Sequence, residues 1–240
     1  MRDTSFYDEE SVQYSQKRYP KVATNYTQYF YLRRLEIVRK YLAKFFSGKS
    51  FATFLEIGCA DGVVLRAVAE FLPGVFGKMI GIDISEKMVE EAQRQNHILE
   101  AQFFLRSQLP SKEGFDVVLE VGVVNYAVFE EELSFAKDHI KDNGYYLLSV
   151  AGTDSLKNRM KGEDGFNNFR SYRAYEETIK HDFKIKAETG CGVFVPYLWR
   201  IPGIARVIQP IFEVMANTLG MTGLCHEKIY LLKKKSSHSV

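Results

Sequence analysis

The residues of this chain best placed to do chemistry fall together in one short stretch, Leu55-Glu56-Ile57-Gly58-Cys59-Ala60-Asp61-Gly62. An apolar run from Phe51 to Ile57 ends on a turn of small residues and passes at once into a helical pattern. Glycine reaches the positive-φ conformations that other residues resist. Small side chains let a ligand approach the backbone, and a helix N-terminus offers free N–H groups to it. A glycine pair alone would equally suit a plain strand-to-helix turn. Two acids separate the readings. Glu56 sits at the end of a buried strand, where a carboxyl costs free energy unless something satisfies it. Asp83 closes the next strand, 21 residues after Gly62, where a carboxylate can accept from ribose hydroxyls. Together they point to an adenosine-containing ligand. The spacing Gly58-x-Ala60-x-Gly62 departs from the G-x-G-x-x-G of dinucleotide folds, which disfavours a nicotinamide-dependent dehydrogenase.

The elements that must position these residues can be read from periodicity. Tyr31, Leu32, Leu35, Ile37, Val38, Tyr41, Leu42 and Phe45 recur at helical spacing, and Ser47-Gly48-Lys49-Ser50 ends that helix. After the strand at Phe51–Ile57, Val63–Leu72 reads as a helix stopped by Pro73-Gly74, and Met79–Asp83 as a strand. Ser85 caps a helix at Glu86–Gln95. Strands follow at Phe103–Leu105 and Phe115–Val121, a helix at Phe129–Ile140, and a turn at Asp142-Asn-Gly144 into a strand at Tyr145–Val150. Strands that are apolar throughout and alternate with helices predict a parallel sheet covered on both faces, a doubly wound α/β fold. Beyond Ala151 the rhythm loosens into a polar loop at Asp154–Phe169 (with Gly162 and Gly165), a helix at Tyr172–His181 and late strands at Phe183–Ala187 and Ile229–Lys233. The last residues, from Lys233, read as a frayed tail.

At this point the sequence resembles the class I S-adenosylmethionine-dependent methyltransferases. Their first motif, acidic-x-Gly-x-Gly-x-Gly, is similar to Glu56 through Gly62, and their acid ending the second strand is similar to Asp83. Phe115-Asp116-Val117-Val118-Leu119 resembles the family's fourth-strand motif, and Asn143-Gly144-Tyr-Tyr-Leu-Leu148 its entry to the fifth strand. The resemblance covers roughly residues 50–151 and is nearest the small-molecule branch. It implies a Rossmann-like, seven-stranded, mostly parallel sheet with the last strand antiparallel. The cofactor it implies is S-adenosyl-L-methionine. Glu56, Gly58, Ala60 and Gly62 would line the methionine moiety and ribose, and Asp83 would hold the ribose hydroxyls. Ile84 and Met88 would pack near the adenine, and Glu120 would lie beside the methionine amino group. Ala60 replaces the usual middle glycine. The third-strand region, Phe104-Leu-Arg-Ser-Gln-Leu-Pro110, lacks the acid that commonly meets the adenine amine, leaving Ser107 or Gln108 as substitutes.

Methyl transfer needs alignment and exclusion of water, with a general base only where the acceptor must lose a proton. Asn125 and Tyr126, past the fourth strand, are placed to face the acceptor, or else to cap a helix and pack. His226 is the candidate base; His139 and His181 read as surface residues. Tyr14-Ser-Gln-Lys-Arg18-Tyr19 resembles the tyrosine-bearing lid of this branch, with Tyr14 and Tyr19 reaching the cofactor. Val193–Arg206 holds Trp199, the only tryptophan, with Arg200 and Arg206 as its only charges. It reads as an acceptor-pocket wall, a dimer contact or an interfacial anchor, followed by a core helix at Ile211–Leu219.

Composition sets the outer bounds. Of 240 residues, 32 Lys and Arg oppose 30 Asp and Glu, a net charge of +2. That balance disfavours a phosphate-backbone binder, and the Asn-Pro-Pro-Tyr-type motif of planar-amine methylation is missing. With 46% hydrophobic residues the chain is not a disordered one. Its N-terminus lacks a signal-like apolar core, and Val207–Cys225 is too interrupted to span a membrane. Cys59, Cys191 and Cys225, with five scattered histidines, match no disulfide or metal framework and read as reduced thiols of a cytoplasmic protein. The expected organisation is one methyltransferase domain: a helical lid at 1–50, a cofactor core at 51–151, a substrate-side insertion with late strands at 152–228, and a last strand and tail at 229–240. The expected partner is a small-molecule or lipid- or glycan-linked methyl acceptor, bound by a monomer or homodimer with at most weak membrane-surface contact. A non-catalytic methyltransferase-like subunit is the alternative from another class.

Overall fold

Two apolar runs foreseen in the sequence become the central strands of a seven-stranded sheet. This is seen in a computed structural model of the protein, in which residues 8–11, 13–96, 101–109, 113–161, 169–195, 197 and 201–235 are described. β1 (Ala52–Ile57) lies between β2 (Phe76–Asp83) and β4 (Phe115–Glu120), with β3 (Ala101–Leu105) at one edge. β5 (Ile140–Ala151), β6 (Phe183–Val193) and β7 (Cys225–Lys234) complete the order β3-β2-β1-β4-β5-β7-β6. β1 to β5 pair in parallel, and β7 runs antiparallel to both β5 and β6.

The helices are α1 (Tyr14–Arg18), α2 (Tyr26–Phe46), α3 (Val63–Phe71), α4 (Glu86–Gln95), α5 (Phe129–His139), α6 (Leu156–Lys161), α7 (Tyr172–Asp182) and α8 (Pro202–Thr218). Their starts follow from capping: Asn25, Ser85 and Ser171 accept from the N–H groups of Gln28, Met88 and Ala174. α2, α3 and α4 pack Phe30, Val38, Leu42, Leu65, Val68 and Ala92 on one face of the sheet. α5 and α7 pack Leu133, Ala136, Tyr175 and Ile179 on the other. Alternation along a strand divides the core between them. Phe54 joins the first cluster while Leu55 and Ile57 join the second. Glu56, between them, therefore points to the α2 side. Glu120, two residues past Val118, points to the α5 side. Strand order reverses at β1, which opens a crevice beyond the carboxyl ends of β1, β2 and β4.

The later half departs from the sequence expectations in instructive ways. The Asp142–Gly144 turn is an irregularity inside β5, where Phe115 and Val117 of β4 pair with Ile140 and Tyr145. The polar loop after Asp154 contains α6, while Gly162, Gly165, His97, His238, Trp199 and Arg200 lie outside the described residues. β6 and β7 are each longer than their apolar runs. β7 begins at Cys225, and the His226, Glu227 and Lys228 that follow are buried. The charges there are met: Arg34 of α2 faces Glu227, and Lys228 reaches Glu176 and Glu188. His139, expected on the surface, is buried against the Phe135 ring. The segment expected as a core helix at Ile211–Leu219 starts earlier, at Pro202, and most of its large apolar side chains are exposed. Burial pushes the Cys59, Cys191 and Cys225 thiols up, the last to about 12, so none is poised as a nucleophile. Among the described residues no helix is long and apolar enough to cross a membrane.

Candidate active site

β1 leads into the turn that shapes the crevice. Gly58, Ala60 and Gly62 all take positive φ, at 70°, 48° and 75°. A Cβ on Gly58 would meet Val123 Cγ2 at 2.2 Å, so only glycine fits between the turn and the β4 loop. A left-handed conformation at Ala60 costs about 1–2 kcal/mol in a non-glycine residue. The Ala60 N–H offsets part of that by donating to Asp83 Oδ2 at 2.9 Å. Asp83 Oδ1 accepts from the Ser85 N–H at 3.0 Å. Burial lifts the Asp83 carboxyl above its ordinary value, against the pull of the Ser85, Ala60 and Ile84 N–H groups.

Around this turn lies a pocket lined by Tyr14, Gly58, Ala60, Asp83, Ile84, Met88 and Tyr126 among the residues expected from sequence. Glu10, Arg18, Tyr31, Arg106, Gly122, Val123 and Glu132 also line it. α1 closes one wall. Arg18 pairs with Glu10 at 2.6 Å, lies 4.3 Å from the Tyr14 ring centroid and donates to the Tyr31 hydroxyl at 3.3 Å. Its Nη1 is buried without a protein partner. Two contacts fasten this segment over the turn: the Ser15 N–H donates to Asp61 Oδ2 at 2.9 Å, and the Ser85 hydroxyl to Asp8 Oδ1 at 2.6 Å.

Two carboxyls lie behind the lining. Burial pushes Glu56 well above the usual carboxylate range, and neighbouring Asp83 and Asp61 add to it; its Oε2 has no partner. Burial likewise pushes Glu120 far up, with Glu132 adding to it, and Glu120 Oε2 accepts from the Tyr146 hydroxyl. Glu132 in turn accepts at both oxygens from Arg106 Nη1, at 2.8 and 2.7 Å.

The remaining expected residues stand elsewhere. Asn125 is buried and committed: its amide donates to the Ala151 carbonyl and the Tyr175 hydroxyl and accepts from the Ala151 N–H. It ties the β4 loop to the end of β5 rather than facing the pocket. His226 sits over the Phe30 ring with Nε2 2.9 Å from Lys157 Nζ, outside the pocket lining. Tyr19 accepts from Arg34 Nη2 at 3.2 Å behind the wall. Gly62 shapes the turn without lining the pocket, and its place there is fixed by Asn96 and Phe103, which a Cβ would strike. Ser107 does not line the pocket; its neighbour Arg106 does. Sequence reading missed Arg106, Glu132 and Asp61. A signal existed for Glu132: with Phe129, Leu133 and Ala136 it keeps the i, i+3, i+4, i+7 phase of a buried helix face.

A glycine turn open to close approach, an acid at the end of β2 and a pocket at the reversal of strand order define a nucleoside-binding protein of the doubly wound α/β class. The chain belongs to the family described as the methyltransferase domain, which it matches over residues 28–183. It is 29% identical over 107 residues to the juvenile hormone acid O-methyltransferase of Bombyx mori. That stretch is 41% of this chain and 37% of the relative's length. Among solved structures it shares its fold with the Synechocystis PCC 6803 magnesium protoporphyrin IX methyltransferase with bound S-adenosylhomocysteine, at a TM-score of 0.64 and 15% identity. That likeness covers 97% of this chain and 98% of the other. A Haloferax volcanii putative methyltransferase, in complex with the Trm112 activator, gives 0.66 at 15% identity, covering 98% and 100%. The methyl donor of this family is S-adenosylmethionine. The pocket fits it: the donor is cationic at sulfur and amine, and behind the pocket lining lie the buried, unpartnered Glu56 Oε2 and Glu120 Oε1. Its carboxylate suits the unpartnered Arg18 Nη1.

Proposed function

We propose that this protein transfers a methyl group from S-adenosylmethionine to a small-molecule or lipid- or glycan-linked acceptor. When bound, the cofactor supplies a methyl carbon on a sulfonium, already activated for in-line displacement. The observation that carries the reading is the convergence of the Gly58 turn, Asp83 and the α1 wall on one pocket. In this reading Asp83 accepts from the ribose hydroxyls. Gly58 and Ala60 let the chain approach the backbone, and Ile84 and Met88 hold the base between apolar surfaces. Glu56 and Glu120 balance the cationic end. Arg18, under Tyr14 and Tyr31, holds the carboxylate, and the segment at 1–50 acts as the lid. Tyr126 faces the reacting carbon.

Arg106 and Glu132 fill the gap left by the missing third-strand acid. The pair offers a donor and an acceptor side by side, which matches N1 and the exocyclic amine of adenine. His226 is engaged with Lys157, which favours an acceptor that needs no base. A carboxylate is the simplest such acceptor, and the name of the Bombyx mori relative is consistent with that class.

Isothermal titration with S-adenosylhomocysteine tests the reading. Binding in the micromolar range is expected, and Asp83→Ala should weaken it at least roughly tenfold through loss of charged hydrogen bonds. A chain that binds none at high micromolar concentration overturns the function. Unchanged affinity in Asp83→Ala overturns the ribose assignment.

A further inference from the structure

Asp61 is a buried acid of the glycine turn that takes no part in the pocket lining. A third carboxyl beside Glu56 and Asp83 is unfavourable there, and its charge helps push the Glu56 carboxyl up. The turn itself does not need the side chain. The Asp61 carbonyl accepts from Asn96 Nδ2 at 3.0 Å, and the Gly62 N–H closes the turn onto the Cys59 carbonyl at 2.9 Å. The carboxyl instead spends Oδ2 on α1, accepting from the Ser15 N–H at 2.9 Å.

That bond supplies what α1 lacks. α1 has five residues, none of them fully buried, and a helix so short does not hold its own position in water. The first N–H groups of a helix have no partner within it, and a local side chain ordinarily takes one of them. Gln13, the residue before α1, sits at a φ of 62° and makes no such cap. Asp61 takes its place from 46 residues away. Arg18 follows Ser15 within the same helical turn. Its guanidinium lies against the Tyr14 ring, donates to the Tyr31 hydroxyl and leaves Nη1 unpartnered in the pocket wall. Whatever fixes the Ser15 N–H therefore fixes the guanidinium as well. We propose, resting on the methyl-transfer reading, that Asp61 is a positioning residue: through Ser15 and α1 it holds Arg18 Nη1 where the carboxylate of the methyl donor binds.

Isothermal titration of the full chain tests it with two probes, S-adenosylhomocysteine and its decarboxylated analogue 5′-(3-aminopropylthio)-5′-deoxyadenosine. The analogue keeps the nucleoside, the sulfur and the amine, and lacks only the group that Arg18 holds. The wild type should favour S-adenosylhomocysteine at least about tenfold, as a charged hydrogen bond provides. Asp61→Ala should cut that preference about fivefold and leave the affinity for the analogue within about twofold. Arg18→Gln should cut it at least as far, and Asp61→Ala added to Arg18→Gln should change it no further. Asp61→Asn keeps an acceptor for Ser15 and should hold the preference within about twofold of the wild type. Should Asp61→Ala fail to fold, Asp61→Leu, branched at the same carbon and without an acceptor, carries the comparison. A preference unchanged in Asp61→Ala overturns the proposal. So does a loss that falls equally on both probes, because the carboxyl then supports only the turn. A wild type that binds both probes alike removes Arg18 from the carboxylate, and the proposal with it. One that binds neither overturns the methyl-transfer reading as well.

Discussion

At the scale of single residues, the proposed function makes purine recognition turn on the ion pair of Glu132 and Arg106. Adenine presents a donor at its amine beside an acceptor at N1; hypoxanthine presents the reverse. A carboxylate held beside a guanidinium therefore suits adenine and mismatches hypoxanthine at both positions. S-Adenosylhomocysteine should bind at least about a hundredfold tighter than S-inosylhomocysteine, since two mismatched polar groups each cost tenfold or more. In Glu132→Gln the amide can turn its donor to the carbonyl, and the ratio should narrow at least about tenfold. The ratio of two ligands on one variant is insensitive to a general loss of stability. A wild type that binds both alike, or a ratio unmoved in Glu132→Gln, removes the pair from base recognition. This acid was hidden in plain view: Glu130-Glu131-Glu132 reads as a solvated first helical turn, and only helix phase marks its third member as buried. Asp83 and the glycine turn were legible because their chemistry is local, fixed by a strand end and its following turn. Asn125 and His226 were not, because their partners, Ala151 and Lys157, are brought by other elements.

At the scale of elements, the strands between parallel neighbours were legible because both faces are buried and the apolar run is unbroken. β6 and β7 were read short for a different reason. β6 continues through Thr189-Gly190-Cys191-Gly192, where glycines usually signal a turn. Here they mark close approach: a Cβ on Gly190 would meet Cys225 Sγ at 2.4 Å, and one on Gly192 would meet Phe30 Cδ2 at 2.8 Å. Gly192 also has a φ of +70°. Gly192→Ala therefore combines left-handed strain with overpacking against α2, and should destabilise the chain by about 2–4 kcal/mol. Gly203, with nothing within 4 Å of its Cβ position and no positive φ, is the control. Gly203→Ala should be neutral or slightly stabilising in its first helical turn. Denaturant midpoints for the two variants check this; equal midpoints would mean that β6 yields at Gly192 without cost. α8 defeated sequence reading most completely. Its pattern was visible, but a pattern gives a helix its two faces without saying which one faces the sheet, and the bonds of Glu213 to Arg33 and the Gly192 N–H decided that.

At the scale of the whole molecule, the balance of buried and exposed carboxyls sets how stability responds to pH. Several exposed or half-exposed acids, among them Glu36, Asp116 and Glu176, are held below their ordinary values by lysine or arginine partners despite opposing desolvation. The stability they contribute is present above the unfolded value near 4 and is lost as pH falls through their folded values. Solvent screening keeps each contribution small. Glu56 and Glu120 act oppositely and more strongly. Their folded values are raised by burial, so the folded chain retains protons that the unfolded chain has released. Their contribution is complete below the unfolded value near 4.3 and is lost as pH rises toward the folded values. Within that window each such carboxyl steepens the decline by up to about 1.4 kcal/mol per pH unit. The ligand-free chain should therefore be most stable in mild acid and should weaken toward pH 8. Glu120→Gln isolates one contribution, because the amide reproduces the protonated acid in shape and can still accept from Tyr146. Its melting temperature should match the wild type near pH 5 and exceed it at pH 8. Parallel melting profiles across that range would show that Glu120 ionises in the folded chain as readily as in the unfolded one.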